Sequence, residues 1–173
     1  MEKRCIKNNH PIFAQTVKPI FSMKSYLYLI ASVVFFISCS TKTDSNFEPE
    51  TEADILQYIE DNNLNATRSN SGLYYVIHNE GTGPRPTSTS NVRVAYKGYF
   101  LDGVVFDESD SNGISFGLNQ VIQGWTEGIP YFKEGGNGIL LIPYQLGYGA
   151  SGRGSIPGGS VLIFDVRLLQ VVN

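Results

Sequence analysis

The sequence predicts a strand-rich α+β domain over its C-terminal part. Three observations carry this. Most of the 18 Gly and 8 Pro fall after Asn70, where they punctuate short aromatic and β-branched runs. Several of those runs alternate apolar and polar residues, as expected for an antiparallel sheet with one buried face. Only one stretch inside the region, 123–133, has the pattern of a helix. With 42% hydrophobic and 12% aromatic residues among 173, the chain can bury one ordinary core.

The elements follow in order. Over 51–64, TEADILQYIEDNNL carries acidic residues early and Ile55, Leu56 and Ile59 near helical spacing, which predicts a short amphipathic helix ending at Asn62-Asn63. Fewer than four turns bury little area, so the helix is read as docked on the domain and the protein as a monomer. Strands are expected at 73–78, 92–101, 104–106, 139–143 and 161–172. Asp102-Gly103 between two of them predicts a type I′ hairpin, whose central residues both need positive φ. Pro130 should shorten or kink the 123–133 helix by removing a backbone donor.

The N-terminal part reads as an address. The run YLYLIASVVFFI at 26–37 follows Lys24 and precedes Ser38 and Cys39. It is shorter than the ~20 residues of a spanning helix and suits the apolar region of a secretory signal. Ser38-Cys39 resembles a bacterial lipobox with an acylated cysteine, although Phe36 and Ile37 depart from the usual residues there. The alternative is a signal anchor with an incidental cysteine. Met23-Lys24 supplies a charged start of its own, which points to Met23 as the first translated residue. The predicted organisation is a removed signal at 1–38, a lipidated tether at 39–50, a helix and linker at 51–70, and the main domain at 71–173. The mature protein is expected in the cell envelope, held to the membrane by lipid on Cys39.

Composition excludes several chemistries. A net charge of -3 without a Lys/Arg cluster lacks the footprint of a nucleic-acid binder. Cys5 and Cys39 both precede the domain, and His10 and His78 are isolated, which argues against a disulfide framework, a zinc site or a Cys/His nucleophile. His78 is read as a solvent-facing strand residue.

The aromatic and apolar residues near glycine form an ordered set: Tyr96 in AYKGYF, Phe106 and Asp107 in GVVFDES, Phe116 in ISFGL, Val121, Ile122 and Trp125 in QVIQGW, Tyr148 in LGYGASG, Ile156 in GSIPGGS and Phe164 in VLIFDV. In this order and spacing the chain resembles the FKBP-type immunophilins, a family of peptidyl-prolyl cis/trans isomerases, and the leader, helix and single domain look like envelope isomerases of the Bacteroidetes type. The resemblance implies a curled antiparallel sheet of five or six strands around one short helix, with a hydrophobic pocket between them. It implies Trp125 as the floor, and Tyr96, Phe106, Val121, Ile122, Tyr148 and Phe164 as walls. Asp107 would stand at the edge beside Tyr96, and the loop 147–159 would overhang as a flap. Ile114 stands where a pocket phenylalanine often lies, and Arg153 where the flap often has histidine; both departures predict altered substrate preference and weaker macrolide binding. The catalytic set expected from the family is Asp107, Tyr148, Trp125 and Ile122. Substrate would be bound by Tyr96, Phe106, Ile114, Phe116, Val121, Ile156 and Phe164. Val121 and Phe164 also suit a plain core role, and a carboxylate among aromatics is costly unless paired.

Such a pocket is chemically sensible in its own right. The barrier to peptide rotation, about 18–20 kcal/mol, comes from a charge-separated resonance form. A water-poor aromatic site that receives proline disfavours the planar amide relative to the twisted one. No nucleophile, metal or cofactor is needed. The expected partners are proline-containing protein segments and macrolide inhibitors. A module that binds proline peptides or unfolded chains without turnover is the other reading of the same residues.

Overall fold

The computed structural model describes residues 48–172. The signal read at 1–38, the start at Met23, the lipidation candidate Cys39 and the tether up to residue 47 lie outside the described residues.

The first element is helix α1, Glu52–Asp61. Thr51 precedes it, and the Asp54 carboxylate accepts both the Thr51 backbone N–H (2.6 Å) and its hydroxyl (2.8 Å), an arrangement that ties the chain entry to the first turn. Those bonds, the backbone one first, hold the Asp54 carboxyl below the usual carboxylate range. The helix ends at Asn62, and the chain then enters a sheet of seven antiparallel strands: β1 Thr67–Arg68, β2 Tyr74–Asn79, β3 Asn91–Tyr99, β4 Val105–Glu108, β5 Ile114–Gly117, β6 Asn137–Ile142 and β7 Leu162–Val172. Their order is β1-β2-β6-β7-β3-β4, and β5 also pairs with β3. The outer edge of β3 is thus shared: Asn91 to Val94 face β5, and Lys97 to Tyr99 face β4.

This sheet exceeds the five or six strands expected. The two-residue β1 and the four-residue β5 have no alternation long enough to be read from sequence; each is a strand only because β2 or β3 offers it a ladder. The Asp102-Gly103 hairpin is present, but its turn is not type I′. Only Gly103 has positive φ (84°). Its N–H donates to the Phe100 carbonyl (2.9 Å), and the Phe100 N–H to the Val104 carbonyl (3.0 Å). This is a three-residue loop ending in a left-handed glycine. The Asp102 carboxylate accepts the Val104 N–H (2.9 Å) and so fixes the loop without positive φ at Asp102.

Helix α2, Gln123–Gly128, also ends earlier than the 123–133 pattern suggests. Pro130 falls in a 3₁₀ turn, Ile129–Tyr131, where its missing donor leaves no bond unmade. The inner face of the sheet packs on α2 through Trp125, Ile129, Phe132, Leu140, Ile142, Leu162, Phe164 and Val166. On the opposite face, Tyr74, Val76, Ile139, Leu141, Val161 and Ile163 pack around Ile55 of α1. β6 and the start of β7 are therefore buried on both sides, which explains why NGILLI and VLIF read as continuous apolar runs. α1 is docked on the domain, with Ile55 fully buried and Leu56 49% exposed.

Candidate active site

Between α2 and the inner face of the sheet opens a cavity of about 360 Å³. Its floor depends on close approach. A Cβ on Gly124 would lie 2.5 Å from Ile142, and one on Gly128 2.7 Å from Leu140. Bare glycines at these places let α2 settle onto β6, and the same helical turn directs Trp125 into the cavity. The helix starts at Ile122, whose carbonyl accepts the N–H groups of Trp125 (2.9 Å) and Thr126 (3.1 Å). The Thr126 hydroxyl donates to the Leu118 carbonyl (2.6 Å) and anchors this turn to the preceding chain.

Trp125 meets three other aromatic rings. Tyr96 lies at 5.1 Å and 87°, Phe164 at 5.1 Å and 84°, and Phe116 at 5.2 Å and 53°; Phe106 stands on Phe164 at 5.5 Å and 84°. The edge-to-face contacts with Tyr96 and Phe164, and that of Phe106 on Phe164, are favourable beyond the area they bury. Gly98 between them has no room for a side chain, since a Cβ there would lie 2.7 Å from both Phe106 and Phe164.

One carboxylate stands at the rim. Asp107 accepts a hydrogen bond from the Tyr96 hydroxyl at 2.6 Å and remains exposed. The desolvation penalty expected for a carboxylate among aromatics is therefore largely avoided here. Burial first, then the bond to Asp107, push the Tyr96 phenol well above its ordinary range. The Tyr96 backbone is held by Ser109, whose Oγ accepts the Tyr96 N–H (2.9 Å) and whose own N–H donates to the Tyr96 carbonyl (3.0 Å). This happens in the gap where neither β4 nor β5 reaches β3.

The loop 147–159 overhangs the cavity. Arg153 and Ile156 pair backbone to backbone within it (2.9 and 3.0 Å), and the Gly159 N–H donates to Gly149 (2.9 Å) at its base. The Arg153 guanidinium lies 5.8 Å over the Tyr148 ring. Two donors of cavity-lining residues have no protein acceptor among the described residues: the buried Nε1–H of Trp125 and the backbone N–H of Ile122.

The structure brings the whole expected set together. Asp107, Trp125, Ile122 and Tyr148 line this cavity, as do Tyr96, Phe106, Ile114, Phe116, Val121, Ile156 and Phe164. Arg153, noted in the sequence as a departure on the flap, is also in the lining, and Gln120, which sequence reasoning missed, completes it. Its only signal was its place in the QVIQGW run. Ser109 was missed as well, although it closes the same FDES run as Asp107. His78 is exposed on β2, outside the cavity. Among the described residues no cluster of His, Cys, Asp and Glu could hold a metal, and no helix is long and apolar enough to cross a membrane.

A curled antiparallel sheet wrapped over one short helix, with an aromatic cavity between them and a loop above, defines an FKBP-like α+β domain. The family model described as FKBP-type peptidyl-prolyl cis-trans isomerase matches residues 83–169, and the chain belongs to that family. It is 46% identical over 105 residues to the FKBP-type peptidyl-prolyl cis-trans isomerase FkpA of Escherichia coli K12, covering 60% of this chain and 39% of that protein. With a probable FKBP-type isomerase of Haemophilus influenzae it shares 48% over 104 residues, or 58% of this chain and 43% of the other. The chain thus spans less than half the length of these curated relatives. Among solved structures, Escherichia coli FkpA superposes with a TM-score of 0.64 at 38% identity, covering 69% of this chain and 57% of that one. A peptidyl-prolyl cis-trans isomerase from Pseudomonas syringae pv. tomato superposes with a TM-score of 0.62 at 30% identity, covering 73% and 98%.

Proposed function

We propose that this protein catalyses cis/trans isomerisation of X-Pro bonds in exported polypeptides. The convergence of all eleven family-expected residues on one cavity, with an unpaired Ile122 N–H at its edge, carries this reading. Proline enters over Trp125, and its amide leaves water for an aromatic surround that disfavours the planar, charge-separated form. The Ile122 N–H and the Tyr148 hydroxyl take carbonyl oxygens of the substrate chain. Asp107, oriented by Tyr96, fixes the field around the rotating carbonyl. No proton or covalent bond changes hands. Uncatalysed X-Pro exchange takes tens to hundreds of seconds, so a folding protein gains from such a catalyst.

The test is exchange of short X-Pro peptides measured with the full chain, with and without a macrolide competitor. The residue before proline would meet Ile114, Phe116 and Ile156. Full burial of an apolar side chain gives a ceiling of roughly 10- to 150-fold, but Ile114 is 47% exposed and Arg153 stands in the same lining. Leu-Pro should therefore turn over only about three- to tenfold faster than Glu-Pro, and Arg153→Ala should widen the gap. Binding of these peptides without acceleration would reduce the protein to a binding module.

We also propose that the protein is exported and anchored by lipid on Cys39. Metabolic labelling with a fatty acid should mark the wild type and not Cys39→Ala. Equal labelling of both would refute the anchor.

A further inference from the structure

Glu50 stands outside the stretch matched by the family model, just before α1, yet its backbone contacts the base of the overhanging loop and its side chain the chain just after it. Its backbone N–H donates to the Gly159 carbonyl at 2.9 Å. Its carboxylate accepts the backbone N–H of Val161. Gly159 in turn donates to Gly149, and Gly149 to Tyr144 (2.8 Å). Both ends of the loop and the entry to β7 thus share one hydrogen-bonded rung, and Glu50 is its outer member.

The placement of this carboxylate is electrostatically poor. Burial pushes its pKa above the ordinary range, and Asp54 and Asp102 add to the effect, while the bond from Val161 opposes it. Among the described residues no cation pairs with it. What holds it is the donor: Val161 is fully buried, and its N–H, deprived of Glu50, would be an unsatisfied group away from water.

We infer that Glu50 is a positioning residue for substrate binding, which clamps the loop 147–159 at the height where Tyr148, Arg153 and Ile156 meet the floor at Trp125. Its effect on turnover rests on the isomerase reading; its effect on the loop does not. Releasing it lets the loop open locally at small energetic expense, so substrate is held less well while the groups around the rotating bond keep their places.

The experiment uses the full chain and compares Glu50→Ala, Glu50→Gln and Glu50→Asp with Ile139→Val, which thins the same outer core without touching the loop. Glu50→Ala should raise KM for a Leu-Pro peptide about three- to tenfold with kcat within about twofold, and speed amide exchange at Arg153 and Ile156 by about tenfold. Glu50→Gln, which keeps an acceptor for Val161, should restore most of both. Glu50→Asp, whose shorter side chain withdraws from Val161, should give the alanine effects at smaller size and decides the matter should the alanine variant not fold. Ile139→Val should lower Tm and leave KM unchanged. Wild-type exchange rates at Arg153 and Ile156 in Glu50→Ala or Glu50→Asp, or an equal KM rise in Ile139→Val, would overturn the clamp. Lack of turnover by the wild type would remove the isomerase reading instead and leave the exchange rates to judge the clamp.

Discussion

Asp107→Ala is expected to slow X-Pro isomerisation by about tenfold to a hundredfold, less than the roughly 100- to 1000-fold loss on removing a buried preorganised donor, because Asp107 stands exposed at the rim. The fold should survive, because Asp107 is exposed and its removal buries no unpaired charge. What is lost is the acceptor at 2.6 Å that orients the Tyr96 hydroxyl. Tyr96→Phe should do less harm, since it keeps the ring against Trp125 and leaves Asp107 in water. Turnover of the wild type should be nearly flat over roughly pH 6–9, the window in which a His or Cys catalyst would impose a limb. Among the described residues no His or Cys lines the cavity. The raised pKa of Tyr96 moves its own ionisation up and away from this window. His78→Ala should be silent. Full activity in Asp107→Ala, or a limb near neutral pH, would show that the acting groups have been misassigned.

Ile55→Ala should destabilise the protein by about 2–5 kcal/mol, the usual effect of truncating a fully buried aliphatic residue. Ile55 has no exposed surface and packs with Tyr74, Val76, Ile139, Leu141, Val161 and Ile163. The neighbouring Leu56 is 49% exposed, so Leu56→Ala should stay within about 0.5 kcal/mol of wild type. Urea unfolding at constant m-value compares them. Equal midpoints for the two variants would mean that α1 does not contribute to the folded core.

The parts legible in the sequence were those with local causes. β2, β3, β6 and β7 could be read because their side chains alternate or stay apolar over five residues or more. Pro130 marked the end of α2 to within a few residues, as expected of a residue that lacks a donor. β1 and β5 could not be read, because two or four residues hold no period and the partner strand decides. The Asp102-Gly103 turn was found but its type was not: the Asp102 carboxylate, by accepting from Val104, favours a form that the dipeptide alone does not specify. In the site, the lining residues were legible through their motif order. Glu50 was not, since its partners are backbone groups more than a hundred positions away and no residue type announces them.

The two margins of the sheet are both abbreviated. One ends in a strand of two residues, which covers Tyr74 and Tyr75 and leaves the last four residues of β2 as a short edge; the other is cut into two strands of four by the excursion at 109–113, where Ser109 takes over the backbone bonds of Tyr96. Exposed strand edges otherwise recruit passing extended chains into non-native pairing. An unfolded polypeptide arriving at this molecule meets no long row of free amides and carbonyls to extend. Short edges of this kind give a passing extended chain little to pair with.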